Sequence, residues 1–425
     1  MKYFYTIITL LIFFANVSAQ ELLTFDDAIE LALQQNHQIE IARNNAKTAR
    51  NNVHIGNAGL LPRIDLSGSA QYQNTTLPGS SEEATTSNSA QIQASYTLFD
   101  GFGNIYQFKK LQVEGTIGEL QAREQIENTL FNLSQTYYSA ASASENLRIA
   151  QELLAISRER LERAKKRAIY GQAKTVDVLA AQVDFNSDSV AVVQAVLHWQ
   201  ESRRDLNVLL NREVTHSFKI DDEIQFVTLE PVEAMLKAAQ NNNADYQATV
   251  QSVRQARMNA NIARSAYSPS ISMNASYGYS QMEPNFGVTL DDPTKSWKVS
   301  ASLNFNIFNG FQTRINNQNA QIGLKNQTLE EQQARLELEK EVINSHEAYR
   351  NSRIVLELEE QNLEAAEVNF RRTQELYNLG QVTTTQFREA QLNLIREKYN
   401  ISDAKYTAKL NEIALLKLTG QLVSE

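Results

Sequence analysis

Four stretches of the chain alternate between apolar and polar residues. Two lie at about 64–73 and 90–99 in the first half, and two at about 270–280 and 296–307 in the second half. Such alternation predicts β-strands with one apolar and one polar face. A length of about ten residues is typical of a transmembrane strand, and polar faces of Ser, Asn, Gln and Thr suit a water-filled lumen. We therefore expect four membrane strands.

Two longer segments, 104–169 and 314–378, contain no Pro and have the pattern of very long α-helices. Each of about 65 residues makes about 100 Å of helix at ~1.5 Å per residue. Apolar residues recur every seven positions, which favours left-handed coiled-coil seams: Val342, Tyr349, Leu356, Leu363, Phe370 and Tyr377. The second seam position is irregular, so a wall of helices fits better than a two-stranded zipper. An ordinary soluble helical bundle is the alternative.

One shorter helix is predicted before the strands of each half. The first covers about 25–57, with Thr24 or Asp26 as its N-cap, and is expected to end at Pro62. Its counterpart covers about 232–266 and is expected to end at Pro269.

The two halves of the chain share one sequence pattern, which indicates an internal duplication. Leu98-Phe99-Asp100-Gly101-Phe102 aligns with Ile307-Phe308-Asn309-Gly310-Phe311 at an offset of 209 residues, the separation of Gly101 and Gly310. The same offset places Gly171 on Gly380. We predict a first repeat over 20–211, an equatorial linker over 212–230 and a second repeat over 231–425.

The N-terminus has the pattern of a secretory signal peptide over 1–19. Lys2 precedes an apolar run, and Val17-Ser18-Ala19 forms a small-x-small cleavage pattern. A membrane anchor is the alternative, but the run is shorter than the ~20 residues of a spanning helix. We expect cleavage after Ala19.

Four strands cannot close a barrel, because the smallest membrane barrels have about eight strands. Open sheet edges are not tolerated in lipid, so the chain must oligomerise. Two copies would supply about eight strands, and three would supply about twelve and leave more room for a channel.

Composition excludes several kinds of function. The 425 residues include no Cys, which excludes a disulfide scaffold, a thiolate metal site and a cysteine nucleophile. The net charge of −9 argues against nucleic acid as a partner. The five His are scattered, and the metalloprotease and serine-hydrolase motifs are missing from the sequence. We expect no enzyme activity and no cofactor.

These features together resemble the TolC-like outer-membrane factor family, also called outer membrane efflux proteins, over about 22–422. The resemblance implies a mostly α fold with a membrane β-barrel, in which a homotrimer builds a 12-stranded barrel continued by a periplasmic α-helical coiled-coil barrel. It implies a passive exit duct in the outer membrane of a Gram-negative bacterium, in contact with lipid. The partners would be a periplasmic adaptor and the inner-membrane transporter of a tripartite efflux pump or type I secretion system. The alternative is a secreted or surface-attached coiled-coil structural protein.

The resemblance also implies site residues. By position, Asp177, Tyr377, Gln386 and Glu389 match a periplasmic gate. Gln386 stands where the family has an aspartate, and Val382 stands where it has an arginine. We expect the two glycine turns to dock the adaptor through six residues: Gly171, Gln172, Ala173, Gly380, Gln381 and Val382.

Overall fold

A computed structural model describes residues 21–75, 78, 83–228, 230–284 and 294–422, so the predicted signal peptide lies outside the described residues. The elements in chain order are β1 (Glu21–Leu23), α1 (Phe25–Gln35), α2 (His37–Asn52), β2 (Arg63–Thr75), β3 (Glu83–Phe99), α3 (Gly103–Ile169), α4 (Thr175–Leu209), β4 (Phe218–Ile220), α5 (Val232–Asn242), α6 (Ala244–Ser265), β5 (Ser270–Pro284), β6 (Thr294–Asn304), α7 (Gln312–Asn378) and α8 (Thr384–Leu418).

The two long helices form as predicted. α3 and α7 have 67 residues each, and α4 and α8 have 35 each. The predicted heptad of α7 is its inward face, since Val342, Tyr349, Leu356, Phe370 and Tyr377 are all buried.

The prediction of single helices over 25–57 and 232–266 is wrong, because each helix is broken once. Asn36 separates α1 from α2, and Asn243 separates α5 from α6. Both have extended backbone, with ψ near 120°, and both side-chain oxygens accept hydrogen bonds from the next helix, at Ile39 N and Tyr246 N. Asparagine competes with the helix for such bonds, so it caps rather than continues it. α2 also ends at Asn52, well before Pro62.

Thr24 is the N-cap of α1, one of the two predicted candidates. Asp27 N donates to Thr24 Oγ1, and Thr24 N donates to the Asp27 carboxylate. This reciprocal pair is a capping box.

Strands form at all four alternating stretches and make one antiparallel sheet in the order β2-β3-β5-β6. They have 13, 17, 15 and 11 residues, longer than the ten expected, because all four extend farther toward the hairpin loops. β6 ends earlier than predicted, at Asn304. The register aligns apolar residues across all four strands: Leu66, Ile92, Tyr277 and Trp297. The sheet therefore has one apolar face, as the alternation predicts.

A second, two-stranded sheet was missed by the sequence analysis. β1 pairs in parallel with β4, and β4 lies inside the predicted linker 212–230. The Tyr137 hydroxyl lies 3.0 Å from Leu23 O and 3.0 Å from Asp221 O, beside the ends of these strands. Three-residue strands carry too short a pattern to be recognised.

The described residues fall into two compact units. The tip unit contains 21–39, 128–228 and 345–415, including both glycine turns and the β1–β4 sheet. The strand unit contains 40–127, 230–344 and 416–422, including the four-stranded sheet. Each unit takes segments from both predicted repeats. Among the described residues, no helix combines the length with the apolar character that crossing a membrane requires.

Candidate gate and docking site at the helix turns

The turns from α3 to α4 and from α7 to α8 share one backbone conformation. Gly171 and Gly380 have φ of 67° and 73°, in the left-handed region that favours glycine. Gln172 N donates to Arg167 O, and Gln381 N donates to Leu376 O, over 2.8 and 2.9 Å. These 6→1 bonds are Schellman motifs, so both long helices end in the same way.

The predicted docking residues lie at or beside these turns. Gln172, Ala173, Gly380 and Val382 line a cavity of about 220 Å³ together with Asp177 and Tyr377. The turns also expose large apolar side chains, which the sequence analysis did not select: Ile169, Tyr170 and Leu379.

Val382 has a second environment. It packs against a buried cluster that contains Phe370, Tyr377, Phe387, Ala390 and Leu394. Part of its side chain is therefore buried in the core of the tip unit, which reduces the surface that a partner could contact.

Three of the four predicted gate residues come together. Asp177, Tyr377 and Glu389 line a neighbouring cavity of about 640 Å³, with Thr384 and Thr385. The buried ring of Tyr377 stacks on Phe387 at 4.6 Å between centroids. Asp177 accepts a hydrogen bond from Lys174 N at 3.2 Å, and within the described part of this chain no hydrogen bond joins it to Tyr377.

Gln386 lies on the first turn of α8 and has a structural partner. Its Oε1 accepts from Thr383 N at 2.9 Å and from Thr383 Oγ1 at 3.1 Å, while Gln386 N donates to Thr383 Oγ1 at 3.2 Å. Thr383 and Gln386 thus form a capping box at the start of α8. Asp177 occupies the same position of the first repeat, 209 residues earlier, and bonds the backbone of Lys174 in the same way.

A buried ionic network above the turn was also missed by the sequence analysis. Arg388 of α8 donates to both carboxylate oxygens of Asp188 of α4, at 2.8 Å each. The network joins three helices through these residues: Ser157 and Arg160 of α3, Asp184 and Asp188 of α4, and Arg388 and Gln391 of α8.

The network balances two arginines against two aspartates, and Arg160 and Asp188 are both buried. Bidentate arginine–carboxylate pairs are strong and directional. They are also costly to break, because a single buried charge is left unpaired. The network therefore ties the start of α8, which carries Glu389, to α3 and α4.

A second polar cluster ties α8 to α3 farther from the turn. Glu145 of α3 accepts hydrogen bonds from Ser402, Lys405 and Tyr406 of α8, at 2.9 to 3.1 Å. Burial alone would raise the pKa of Glu145, but these donors and the Lys405 charge outweigh it and hold the pKa below its ordinary value.

Part of the predicted linker makes side-chain and backbone contacts with α7 and α8. Val227 N donates to Glu412 at 2.9 Å, and Arg353 lies over the Phe226 ring at 3.9 Å. Tyr349 donates to Glu412, and burial together with that hydrogen bond raises the pKa of Tyr349 to about 12. Among the described residues, no cluster of His, Asp and Glu has the arrangement of a metal site.

The chain matches known proteins along nearly its whole length. The profile of the family described as "Outer membrane efflux protein" matches it twice, at residues 28–212 and 235–421. Over 396 residues the chain is 23% identical to "Probable outer membrane lipoprotein SilC" of Salmonella typhimurium, covering 92% of this chain and 84% of SilC. Over 413 residues it is 22% identical to "Probable efflux pump outer membrane protein TtgC" of Pseudomonas putida, covering 96% and 84%.

The fold is also that of a solved channel. The Campylobacter jejuni CmeC outer membrane channel superposes with a TM-score of 0.77 at 16% identity, over 94% of this chain and 86% of that one. The resemblance, the fold class with its internal duplication, the outer-membrane location and the role of exit duct are thereby confirmed. The chain belongs to the outer membrane efflux protein family.

Proposed function

We propose that this chain is the passive exit duct of a pump, and that it works as a homotrimer with a periplasmic adaptor and an inner-membrane transporter. The duct performs no chemistry of its own. Support for this assembly comes from the four-stranded sheet and from the helix turns.

The sheet is the observation that carries the proposal. Its apolar face is exposed, with Leu66, Trp297 and Leu303 all open, and β2 and β6 form its outer edges in the described structure. Neither an open edge nor unpaired backbone is stable in a bilayer. Because four strands alternate in direction, β6 of one copy can pair antiparallel with β2 of the next. Three copies then give a closed barrel of twelve strands.

The turns support the gate and the docking site. Asp177, Tyr377 and Glu389 line one cavity beside both turns, which brings the proposed hydrogen-bond partners Tyr377 and Asp177 to the same site. The exposed Tyr170 and Leu379 supply the apolar contact that an adaptor would cover.

The assembly is tested by fractionation and by mass. The full chain should enter the outer-membrane fraction, and its mass in detergent should be three times that of the mature chain. Heating in SDS should convert the trimer into monomer on a gel. A soluble or monomeric product would contradict the proposal.

Docking is tested separately from assembly. Tyr170→Asp and Leu379→Asp should abolish export in cells while the trimer mass stays unchanged. Thr407→Asp, on the exposed surface of α8, is the matched control and should leave export intact. Unchanged export in both turn variants would place the adaptor elsewhere.

A further inference from the structure

The cavity of about 640 Å³ beside the turns has lining residues that the proposed gate does not use. Two of them are arginines of different helices, Arg160 of α3 and Arg396 of α8. The volume lies within the range of ~300–1,000 Å³ that is typical of small-molecule sites. All of the lining residues belong to the tip unit of one chain, so the cavity is complete without a second copy.

Arg160 supplies an unpaired hydrogen-bond donor at the wall of this cavity. Its side chain is 4% exposed and forms an ion pair with Asp184 through one terminal nitrogen. Its Nε is also buried, but has no hydrogen-bond partner among the described residues. A buried donor without an acceptor is costly, so a ligand that brings an acceptor to Arg160 gains from the contact.

Arg396 adds an unpaired positive charge at the same cavity. Its side chain is exposed, and its guanidinium group has no ion pair or hydrogen bond within the part of the chain that the structure describes. A guanidinium group presents several N–H donors in a fixed plane and pairs well with a carboxylate. Arg396 is therefore a free partner for an anionic group.

The two arginines lie close together along the helices. Tyr406 of α8 donates a hydrogen bond to Glu145 of α3, and each of the two residues is 26 positions from the glycine of its own turn. α3 and α8 thus pair at equal distances from the turns. Arg160 and Arg396 are 11 and 16 positions from their glycines, a difference of five residues or about 7.5 Å of helix. One small ligand can contact both side chains.

Small apolar side chains line the cavity at the height of Arg160. Ala181 is 10 positions from Gly171 and is buried, while Leu392 is 12 positions from Gly380 and is partly open at 40% exposure. Ala180, next to Ala181, is also exposed to the cavity. Such walls favour the burial of an apolar body beside the arginines.

The acidic side chains of the cavity leave these two donors free. Asp184 is already paired with Arg160, and Asp177 accepts a hydrogen bond from the backbone of Lys174. Glu389 is exposed and precedes Arg396 by seven positions, or about 10 Å of helix. An exposed carboxylate keeps its hydration, whereas the buried Nε of Arg160 cannot be hydrated in the same way. The cavity therefore favours an anionic ligand over a cationic one.

We propose that this cavity binds small organic carboxylates with an apolar body. Arg160 and Arg396 contact the carboxylate, and Ala181 and Leu392 contact the apolar body. The site goes beyond the proposed duct and does not depend on it, because one chain supplies every lining residue. An occupied site lies directly beside the proposed gate, which lines the same cavity.

The charge of the ligand is tested with two probes that share one ring system. 1-Naphthoate should bind the purified full chain in detergent with a Kd on the order of 1 mM in equilibrium dialysis, as expected for a ligand of this size. The 1-naphthylmethylammonium ion should bind about tenfold more weakly, since it cannot accept hydrogen bonds from arginine. Equal or tighter binding of the ammonium probe, or no naphthoate uptake beyond that of the detergent, would overturn the proposal.

Arg396→Gln tests the free arginine. It should weaken naphthoate binding about tenfold and should not weaken binding of the ammonium probe. The matched control is Arg158→Gln, which removes the same charge from an exposed position of α3 that does not line the cavity. The control should bind naphthoate as wild type does. Equal naphthoate affinities in the two variants would contradict the site.

Ala180→Leu tests the apolar wall by filling part of the cavity. It should weaken naphthoate binding severalfold, because the added side chain occupies the space of the ring. Thr407→Leu, on the exposed surface of α8, adds apolar volume outside the cavity and should leave binding unchanged. The native mass separates this inference from the proposed function. A trimer that does not bind naphthoate contradicts the site alone, and a monomer that binds it contradicts the trimer alone.

Discussion

The two repeats use the same turn for different purposes. Both turns have a glycine at positive φ and a Schellman motif, and both following helices are capped from the same position, by Asp177 and by Gln386. Beyond the cap they diverge. Leu179 of α4 is 60% exposed, whereas its repeat counterpart Arg388 of α8 is tied to Asp188. The duplicated turns keep the same backbone conformation, and the substituted side chains determine which helix face makes contacts within the chain.

In this chain the face of α8 that carries Arg388 contacts other helices, whereas the corresponding face of α4, which carries Leu179, is exposed. A closed wall of helices needs each helix to have neighbours on two sides. Polar contacts within one chain join α8 of the second repeat to α3 and α4 of the first, whereas Leu179, Val183 and Val190 of α4 are exposed.

The largest expected effect comes from breaking the Arg388 network. Arg388→Leu introduces the side chain type of its counterpart Leu179 and leaves Asp188 buried without its arginine, which should cost about 3–5 kcal/mol. Chemical denaturation of the trimer, followed by circular dichroism, measures the loss. Adding Asp188→Leu should restore most of it, since a buried pair replaced by apolar residues is often neutral. A double variant as unstable as the single one would contradict this pairing.

The second effect concerns Glu145, whose counterpart in α7 is Ile354. Glu145→Gln should destabilise by about 1.5–3 kcal/mol near neutral pH, because it weakens hydrogen bonds to a charged group. A carboxylate with a lowered folded-state pKa contributes stability above its unfolded-state pKa and loses it as pH falls through the folded-state value. Wild type should therefore lose stability at acid pH more steeply than the variant. Parallel pH curves for the two proteins would show that Glu145 is not the titrating group.

The third effect tests whether the turns are equivalent. Gly171→Ala and Gly380→Ala each force a side chain into the left-handed region, at roughly 1–2 kcal/mol. A Cβ at either position would meet no atom within 4 Å, so the cost is conformational and should be the same for both. Thermal unfolding of the two variants compares them. A much larger loss at one turn would reveal a contact that the other lacks.

The smallest effect on stability is expected from Gln386→Glu. Glutamate can replace glutamine in the capping box, so the stability should change by less than about 0.5 kcal/mol. Three added negative charges in the trimer should raise the cation preference of the channel, as measured by its reversal potential in a salt gradient. Gln381→Glu, on the exposed turn, is the control. An unchanged preference would place Gln386 away from the conduction path.

Periodicity made the long elements predictable. The seven-residue repeat in α7 and the alternation in β5 are local patterns that repeat many times, so neighbouring context could not reverse them. The break at Asn36 was missed because one asparagine hardly changes a helical pattern, yet its side chain caps α2. The Arg388–Asp188 pair spans 200 positions and belongs to no spacing motif. The one available signal was the repeat alignment, which sets a charged residue against Leu179.

The gate itself is tested most directly by conductance of the purified trimer in a planar bilayer. Wild type should show a small conductance, as expected of a duct that the proposed gate closes. Tyr377→Phe combined with Asp177→Ala should raise it, since the proposed closed state includes a hydrogen bond between these two residues, worth about 1.5–3 kcal/mol for a charged acceptor. Thr407→Ala, on the exposed surface of α8, is the control and should behave as wild type. Equal conductance and ion preference in the double variant and wild type would contradict a gate at these turns.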